Sequence, residues 1–291
     1  MSRKKLLDNM LHQIIFLGPA LVFFVIFVLV PFITGMYYSF TSWNGVSDEA
    51  PLVGLRNFAM IFQDDNFLKA FGFTTRFTLV SVVLVNVCAL SLALMLSGEL
   101  RLRNVFRSVF FLPNVISGLI LGFIWQFIFV KVFTAIGEAT ELWLFGLPWL
   151  GTEATGFWAT VIVQVWQMAG YLMVIYIAGI NSVPRDLVEA STIDGANSLQ
   201  VFRNVTLPLI MPAMTVSLFM SINSSFKLFD LNYSLTGGNF DTRSVALDIY
   251  REAFQSNNYG LGSAKALVFF LAVALITTLQ TVYTKRKEVQ V

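Results

Sequence analysis

Residues 189–196 read Glu-Ala-Ser-Thr-Ile-Asp-Gly-Ala and are followed by Val-Thr-Leu-Pro at 205–208, between two long uncharged apolar runs. This stretch is too polar to cross a bilayer and too amphipathic to be a plain linker. It therefore predicts a helical loop that a membrane protein offers to a partner at the membrane surface.

The composition of the whole chain indicates a membrane protein. Of its 291 residues, 56% are hydrophobic and only 12% are charged, so one soluble core could not bury the apolar side chains. Six uncharged runs of about twenty residues are long enough to cross the hydrocarbon core, and they lack the alternation of barrel strands. We expect an all-α fold with six spans, near 14–38, 77–97, 109–130, 157–180, 207–229 and 264–283, in a single domain covering 1–291.

The basic residues predict the orientation of these spans. Clusters at 3–5, 101–107, 185–203 and 285–287 all fall on one side of the predicted spans, and basic loops resist translocation. That side is expected to be cytoplasmic, which places both termini and the loop between spans four and five inside the cell.

The segment 184–206 predicts two short helices that meet at a glycine. Pro184 suits the first helical position, where its missing N–H has no consequence. Leu187, Ala190 and Ile193 then form one apolar or small stripe, and Gly195 ends the run.

These residues resemble the EAA loop of ABC importer permeases, specifically the carbohydrate-uptake type related to the maltose and glycerol-phosphate systems. Further matching stretches lie at 107–113, 166–184, 226–230 and 236–238, so the resemblance covers nearly the whole chain. The departures are Ser191 for the usual second alanine, Val205 for isoleucine, and Asn239 after the paired glycines.

The resemblance implies that 184–206 is a cytoplasmic coupling loop which docks into a cleft of an ATPase subunit. Glu189 would face basic or polar groups there and Gly195 would set the bend, and the matching motif also contains Ala190, Ser191 and Asp194. The implied partners are a second homologous permease subunit, two cytoplasmic ATPase subunits and an extracytoplasmic sugar-binding protein. From the residues alone, an amphipathic helix lying in the membrane interface is the alternative.

Polar side chains inside two spans predict a path for a sugar substrate. In the fourth span Gln164, Gln167 and Tyr171 share one helical face, and hydrogen bonding between packed helices is the alternative reading of the two glutamines. In the fifth span, Asn223, Lys227 and Asp230 have the same spacing. Charged side chains this close to the membrane interior indicate a functional role, although Lys227 and Asp230 could instead form an ion pair with each other.

The sequence offers no catalytic centre and predicts no cofactor, metal or nucleic-acid partner. The sole histidine, His12, lies at the start of the first span, and there is no phosphate-binding G-x-x-x-x-G-K-[ST] motif, so any ATP must be hydrolysed by another subunit. An ion-coupled secondary transporter or channel is the rival function. Such a protein would need carboxylates near the bilayer midplane to bind the coupling ion, and the six uncharged cores lack them.

Overall fold

The chain is almost entirely helical in the parts that the structure, a computed structural model, describes, namely residues 16–98 and 100–288. Within those parts there is no β-strand, and a single isolated bridge joins Thr41 to Leu52. The helices in chain order are α1 (Phe16–Ser39), α2 (Arg56–Ile61), α3 (Asp65–Ser97), α4 (Arg103–Val115), α5 (Gly118–Thr140), α6 (Glu153–Asn181), α7 (Arg185–Ile193), α8 (Ser198–Leu209), α9 (Met211–Phe226), α10 (Asp230–Leu235), α11 (Val245–Tyr250) and α12 (Tyr259–Lys285).

Five of these helices are long and apolar enough to cross a membrane: α1, α3, α5, α6 and α12. A sixth span is present if α8 and α9, which are bent by 71° at Ile210, are counted as one. These helices confirm the predicted all-α membrane fold. His12 and the basic cluster at 3–5 lie outside the described residues.

The second and third spans differ in their limits from the sequence prediction. The helix containing the second span begins at Asp65 rather than near 77, because Phe67 and Phe73 are already buried in helical packing. The predicted third span, 109–130, is divided between α4 and α5 by extended backbone at Ile116 and Ser117. Pro113, three residues before the break, cannot donate the helical hydrogen bond of the last turn of α4.

The described residues pack as two compact units, 16–64 with 249–269 and 65–248 with 270–288. In the second unit α3 packs along α6, and α9 packs against both helices. One buried cluster here centres on Phe73, Phe77 and Leu121, and a second on Leu172 and Tyr176.

Glycines allow the divided third span to pack closely within this unit. A Cβ atom placed on Gly170 of α6 would lie 1.8 Å from the carbonyl oxygen of Phe110 in α4. One placed on Gly122 of α5 would lie 1.9 Å from the Ser234 hydroxyl of α10. Helices can approach this closely only where no side chain intervenes, so these two positions fix how α4 and α5 pack.

The first unit is joined by side-chain to backbone hydrogen bonds around the segment that follows α1. The buried Asn57 amide donates to the carbonyl oxygens of Ser39 at 2.9 Å and Thr41 at 2.8 Å. The N–H of Gly260, at the start of α12, donates to the Trp43 carbonyl at 2.9 Å. By contrast, the apolar side chains of α1 are almost all exposed.

Gly170→Ala tests the close packing of α4 on α6. The added methyl group overlaps the Phe110 backbone, which cannot rotate away, so we expect a loss of about 1–3 kcal/mol in stability. The measurement is the melting temperature of the purified protein. Gly72→Ala in α3 is the control, because nothing lies within 4 Å of a Cβ at that position. Equal melting temperatures for the two variants would contradict this packing.

Candidate functional site

The loop between α6 and the bent pair α8–α9 contains the predicted two-helix segment. Its first helix, α7, runs from Arg185 to Ile193, and Pro184 is the N-cap rather than the first helical residue as predicted. Pro184 has φ −59° and ψ 127°, which is extended backbone suited to a cap. Asp186 lies in the first turn, where the positive end of the helix dipole favours a carboxylate.

Local sequence signals explain how α7 ends and α8 begins. Gly195 has φ +86°, a left-handed conformation that glycine adopts without strain. The N–H of Ala196 donates to the Ser191 carbonyl and that of Gly195 to the Thr192 carbonyl, both at 3.0 Å, which is the Schellman arrangement. Asn197 then caps α8 through reciprocal hydrogen bonds with Gln200. Gly195 therefore sets the turn between the two helices.

The two faces of α7 have different surroundings. The apolar stripe of Leu187, Ala190 and Ile193 is exposed, and Ile193 retains 85% of its accessible surface. A neighbouring face, with Arg185 and Glu189, lines an open recess of about 800 Å³, which we call the loop recess, and Glu189 lies one turn before Ile193 of the stripe. The ends of α3 and α6 and one side of α8 complete its walls. The apolar stripe thus packs against no part of this chain that the structure describes.

The remaining predicted coupling residues lie at the end of α7. The Ser191 hydroxyl donates to the Val188 carbonyl at 2.8 Å, so this side chain turns back onto its own helix. Asp194 is the C-cap residue and is exposed. With Glu189 and Ala190, these residues form a short surface element that has small side chains on its exposed face.

The C-terminal end of the fifth span differs from the prediction. Asn223 lies in α9, but that helix ends at Phe226, Lys227 is its C-cap, and Asp230 begins the separate helix α10. Asn223, Lys227 and Asp230 therefore do not share one helical stripe, and that prediction was wrong. The break arises because Leu228 and Leu231 are buried in the core formed with α5 and α6, which turns the chain away from the axis of α9.

Lys227 and Asp230 are both exposed, and no ion pair joins them in the part of the chain that the structure describes. The alternative that these two charges neutralise each other therefore finds no support in the geometry.

Gln164 lies between helices. Its side chain is only 3% exposed, and its amide donates to the Ser224 hydroxyl at 3.2 Å and to the Met168 sulfur at 3.1 Å. A group buried in this way cannot contact a passing solute in this conformation. The geometry favours helix packing for Gln164.

Gln167 and Asp230 each lie close to a residue of the break between α4 and α5. The half-buried Gln167 amide donates to the Ile116 carbonyl at 3.3 Å, and this carbonyl is one that the break removes from the helical ladder. Asp230 approaches the same place, since a Cβ on Gly118 would lie 3.1 Å from the Asp230 Cβ. Tyr171 lies one turn further along α6 and contacts Phe111, with ring centroids 6.5 Å apart.

Three further polar residues make structural contacts, and two of them, Asn232 and Lys265, are fully buried and were missed by sequence reasoning. Asn86 accepts a 2.8 Å hydrogen bond from the Tyr176 hydroxyl and donates to the Ser221 hydroxyl at 2.9 Å, which joins α3, α6 and α9. Asn232 in α10 organises the following turn by accepting from the Ser244 N–H and donating to the Thr242 carbonyl. Lys265, inside the predicted sixth span, is fully buried. The signal for Lys265 was in the sequence, as a single lysine within an apolar run.

Comparison with known proteins identifies the class to which this fold and loop belong. The family described as the inner membrane component of binding-protein-dependent transport systems matches residues 85–289. The chain belongs to this family and is a multi-pass membrane protein. The match includes the two-helix loop and every candidate path residue.

Several relatives resemble the chain over nearly its whole length. It is 49% identical over 292 residues to a probable permease for starch degradation products from Thermoanaerobacterium thermosulfurigenes, covering 99% of each chain. It is 34% identical to a multiple sugar-binding transport system permease from Streptococcus mutans, covering 94% of this chain and 95% of the relative. A trehalose/maltose permease from Thermococcus litoralis is 30% identical, covering 89% and 88%.

Solved structures confirm the fold. A bacterial ABC transporter that imports the acidic polysaccharide alginate matches with a TM-score of 0.81 and 21% identity, covering 97% of this chain and 99% of the other. The alginate transporter in complex with its pentasaccharide-bound periplasmic protein gives a TM-score of 0.79 at 22% identity, covering 98% and 95%.

The substitution Gln167→Leu tests whether the two glutamines of α6 have different roles. The change leaves the Ile116 carbonyl without its side-chain donor, at a net cost of about 1 kcal/mol, and we expect transport in membrane vesicles to fall about fivefold. Gln164→Leu is the matched control, since the Ser224 hydroxyl can turn to a carbonyl of its own helix, and transport should stay close to wild type. A larger loss of transport for Gln164→Leu than for Gln167→Leu would show that Gln164, rather than Gln167, is the glutamine that transport requires.

Proposed function

We propose that this chain is a permease subunit of an ATP-driven, binding-protein-dependent sugar importer, and that α7 couples it to the ATPase. The observation that carries the proposal is the exposed apolar stripe of α7 on a loop outside the predicted spans, in a chain of this transport family. Large apolar side chains exposed together on a short helix are typical of a docking surface.

The helix suits a cleft on another protein better than the membrane interface. An interfacial helix needs a broad apolar face to enter the headgroup region, together with basic residues on its polar face. The exposed stripe of α7 has only two large side chains, Leu187 and Ile193, with Ala190 between them. A small residue at the centre of the stripe allows a partner surface to approach closely.

The connections of α7 provide the route from the ATPase to the translocation path. One end of α7 follows α6, which contains Gln167 and Tyr171, and the other leads through α8 into α9, which contains Asn223. A displacement of α7 would therefore act on both helices. The 71° bend at Ile210 is the place where α8 could move relative to α9. Outward-open and inward-open states would be selected by the partners through their differential affinities.

The sugar would pass the break between α4 and α5. Gln167 and Asp230 both lie near this break, with Tyr171 one turn further along α6 and Lys227 exposed at the end of α9. Amide, carboxylate and aromatic groups supply the hydrogen bonds and the stacking face that a sugar requires. Relatives named for starch products, multiple sugars and trehalose or maltose support this substrate class.

The proposed assembly contains a second homologous permease subunit, two cytoplasmic ATPase subunits and an extracytoplasmic sugar-binding protein, all embedded in or facing a lipid bilayer. ATP would be hydrolysed only in the partner subunits. Both termini and α7 would face the cytoplasm, as the basic loops indicate.

Glu189→Lys tests the coupling role. Reversal of this charge on an exposed part of α7 should leave the permease pair assembled, while ATP hydrolysis no longer drives sugar uptake. The measurement pairs ATPase activity with sugar uptake in proteoliposomes that contain the complete importer and its binding protein. We expect uptake to fall at least about tenfold, since loss of a charge-assisted contact costs about 1.5–3 kcal/mol.

Asp186→Lys, in the first turn of the same helix, is the control, and it should retain most uptake because it lies outside the matching motif. Undiminished uptake by the Glu189 variant would reject the assignment of this residue. Purified complexes that contain neither an ATPase nor a second permease would favour an ion-coupled transporter or channel instead.

A further inference from the structure

Lys265 is an ionised side chain completely buried near the start of α12. Its side chain has no accessible surface, and its neighbours in the sequence are apolar or small. The Lys265 Nζ lies 2.7 Å from Asp64 Oδ2 and 2.9 Å from Glu252 Oε2. The other carboxylate oxygen of Glu252 accepts a hydrogen bond from the Asn258 amide at 2.8 Å. One ammonium group therefore holds two carboxylates, both within the first compact unit.

This ion triad contains two acidic side chains and only one basic side chain, so Lys265 is the member whose loss matters most. Asp64 and Glu252 are mostly shielded, with 21% and 17% of their side chains exposed. Without Lys265, two carboxylates would face each other across a largely dry space, separated by no more than the combined length of the two contacts. Without one carboxylate, Lys265 would still contact the other. Loss of one partner from a buried ion pair is far more damaging than replacement of the whole group by neutral side chains.

The triad joins three segments that are separate in sequence. Asp64 closes the turn after α2, Glu252 lies in the helical turn after α11, and Lys265 belongs to α12. Neighbouring contacts reinforce the same junction, because Trp43 packs on Tyr259 with ring centroids 5.4 Å apart.

The segment 41–64 of the first unit exposes several large apolar side chains. Val46, Leu52, Leu55 and Phe62 are each at least 70% exposed. Asp48 and Glu49 lie between the first two, and both are exposed. We call the exposed surface of 41–64 the outer plate, since the proposed topology places it outside the membrane.

We propose that Lys265 is a positioning residue that clamps the segments around Asp64 and Glu252 to α12, and thereby holds the outer plate in the conformation that meets the external binding protein. The clamp itself rests only on the contacts of the first unit. Its consequence for transport rests on the proposed function. The Lys265 charge compensates both carboxylates and so lets their segments lie close to α12, whereas the two carboxylates would repel each other without it.

Hydrogen–deuterium exchange of the complete importer in lipid nanodiscs tests the clamp, using peptides that cover 56–64 and 251–260. Lys265→Met should raise exchange in both peptides about a hundredfold, because two buried carboxylates then repel each other. Lys265→Arg should preserve protection in part, and Asp64→Asn should have a small effect. The triple variant Lys265→Met, Asp64→Asn, Glu252→Gln should exchange nearly as slowly as wild type, because no uncompensated charge remains. Lys69→Met is the control, since its ion pair with Asp241 is exposed on both sides.

The triple variant decides whether Lys265 acts through the charge that it compensates or through the volume that it fills, because it shares the Met side chain with the single variant but has no repelling carboxylates. Fast exchange in the triple variant, or unchanged exchange in Lys265→Met, would overturn the clamp. If Lys265→Met fails to accumulate in membranes, accumulation of the triple variant supports the proposal and its failure overturns it.

The transport consequence has its own readout. The concentration of sugar-loaded binding protein that half-saturates ATPase stimulation should rise about tenfold in Lys265→Met, while basal ATPase activity is unchanged. An unchanged half-saturation alongside faster exchange would overturn the link to the binding protein and leave the clamp. Absence of sugar uptake by the wild-type importer would overturn the proposed function without affecting the exchange result.

Discussion

The hydrocarbon core of a bilayer offers no water to hydrogen-bond with the backbone, so each break in a membrane helix must satisfy its freed groups within the protein. This chain has such breaks after Val115, at Ile210 and after Phe226. At the first, the Gln167 amide binds the Ile116 carbonyl. At the second, the Ile210 N–H still reaches the Thr206 carbonyl at 3.0 Å, so the bend leaves the ladder connected. These compensations permit irregular backbone, and with it polar groups, at the depth of the membrane.

The broken helices then need close packing to stay in place, because lipid tails provide no hydrophobic drive between helices. Two glycines allow this close packing: Gly170 lets α6 approach α4, and Gly122 lets α5 approach α10. The same packing brings Gln167 and Asp230 to the first break. The close packing of the helices therefore also positions the residues of the candidate path.

The sequence predicted best those features that depend on nearby residues. The end of α7 was predicted from Gly195, and the cap that Asn197 and Gln200 form at the start of α8 is an equally local feature, although it was not predicted. The break after Phe226 could not be predicted in this way, since it depends on burial of Leu228 against α5 and α6. The charge of Lys265 was visible in the sequence, but its pairing with Asp64 could not be predicted, because the two residues are distant in sequence. The functional roles of the α7 and path residues remain predictions.

The central claim is that the apolar stripe of α7 lies in a cleft of an ATPase subunit in the working importer. Cys88 is the only cysteine of the chain, so its replacement by serine allows a single cysteine to be placed at Ile193 for cross-linking within native membranes. The account predicts a cross-link from position 193 to the ATPase subunit whose yield changes when ATP binds. Cross-links only to lipid, or none to any other subunit, would contradict it.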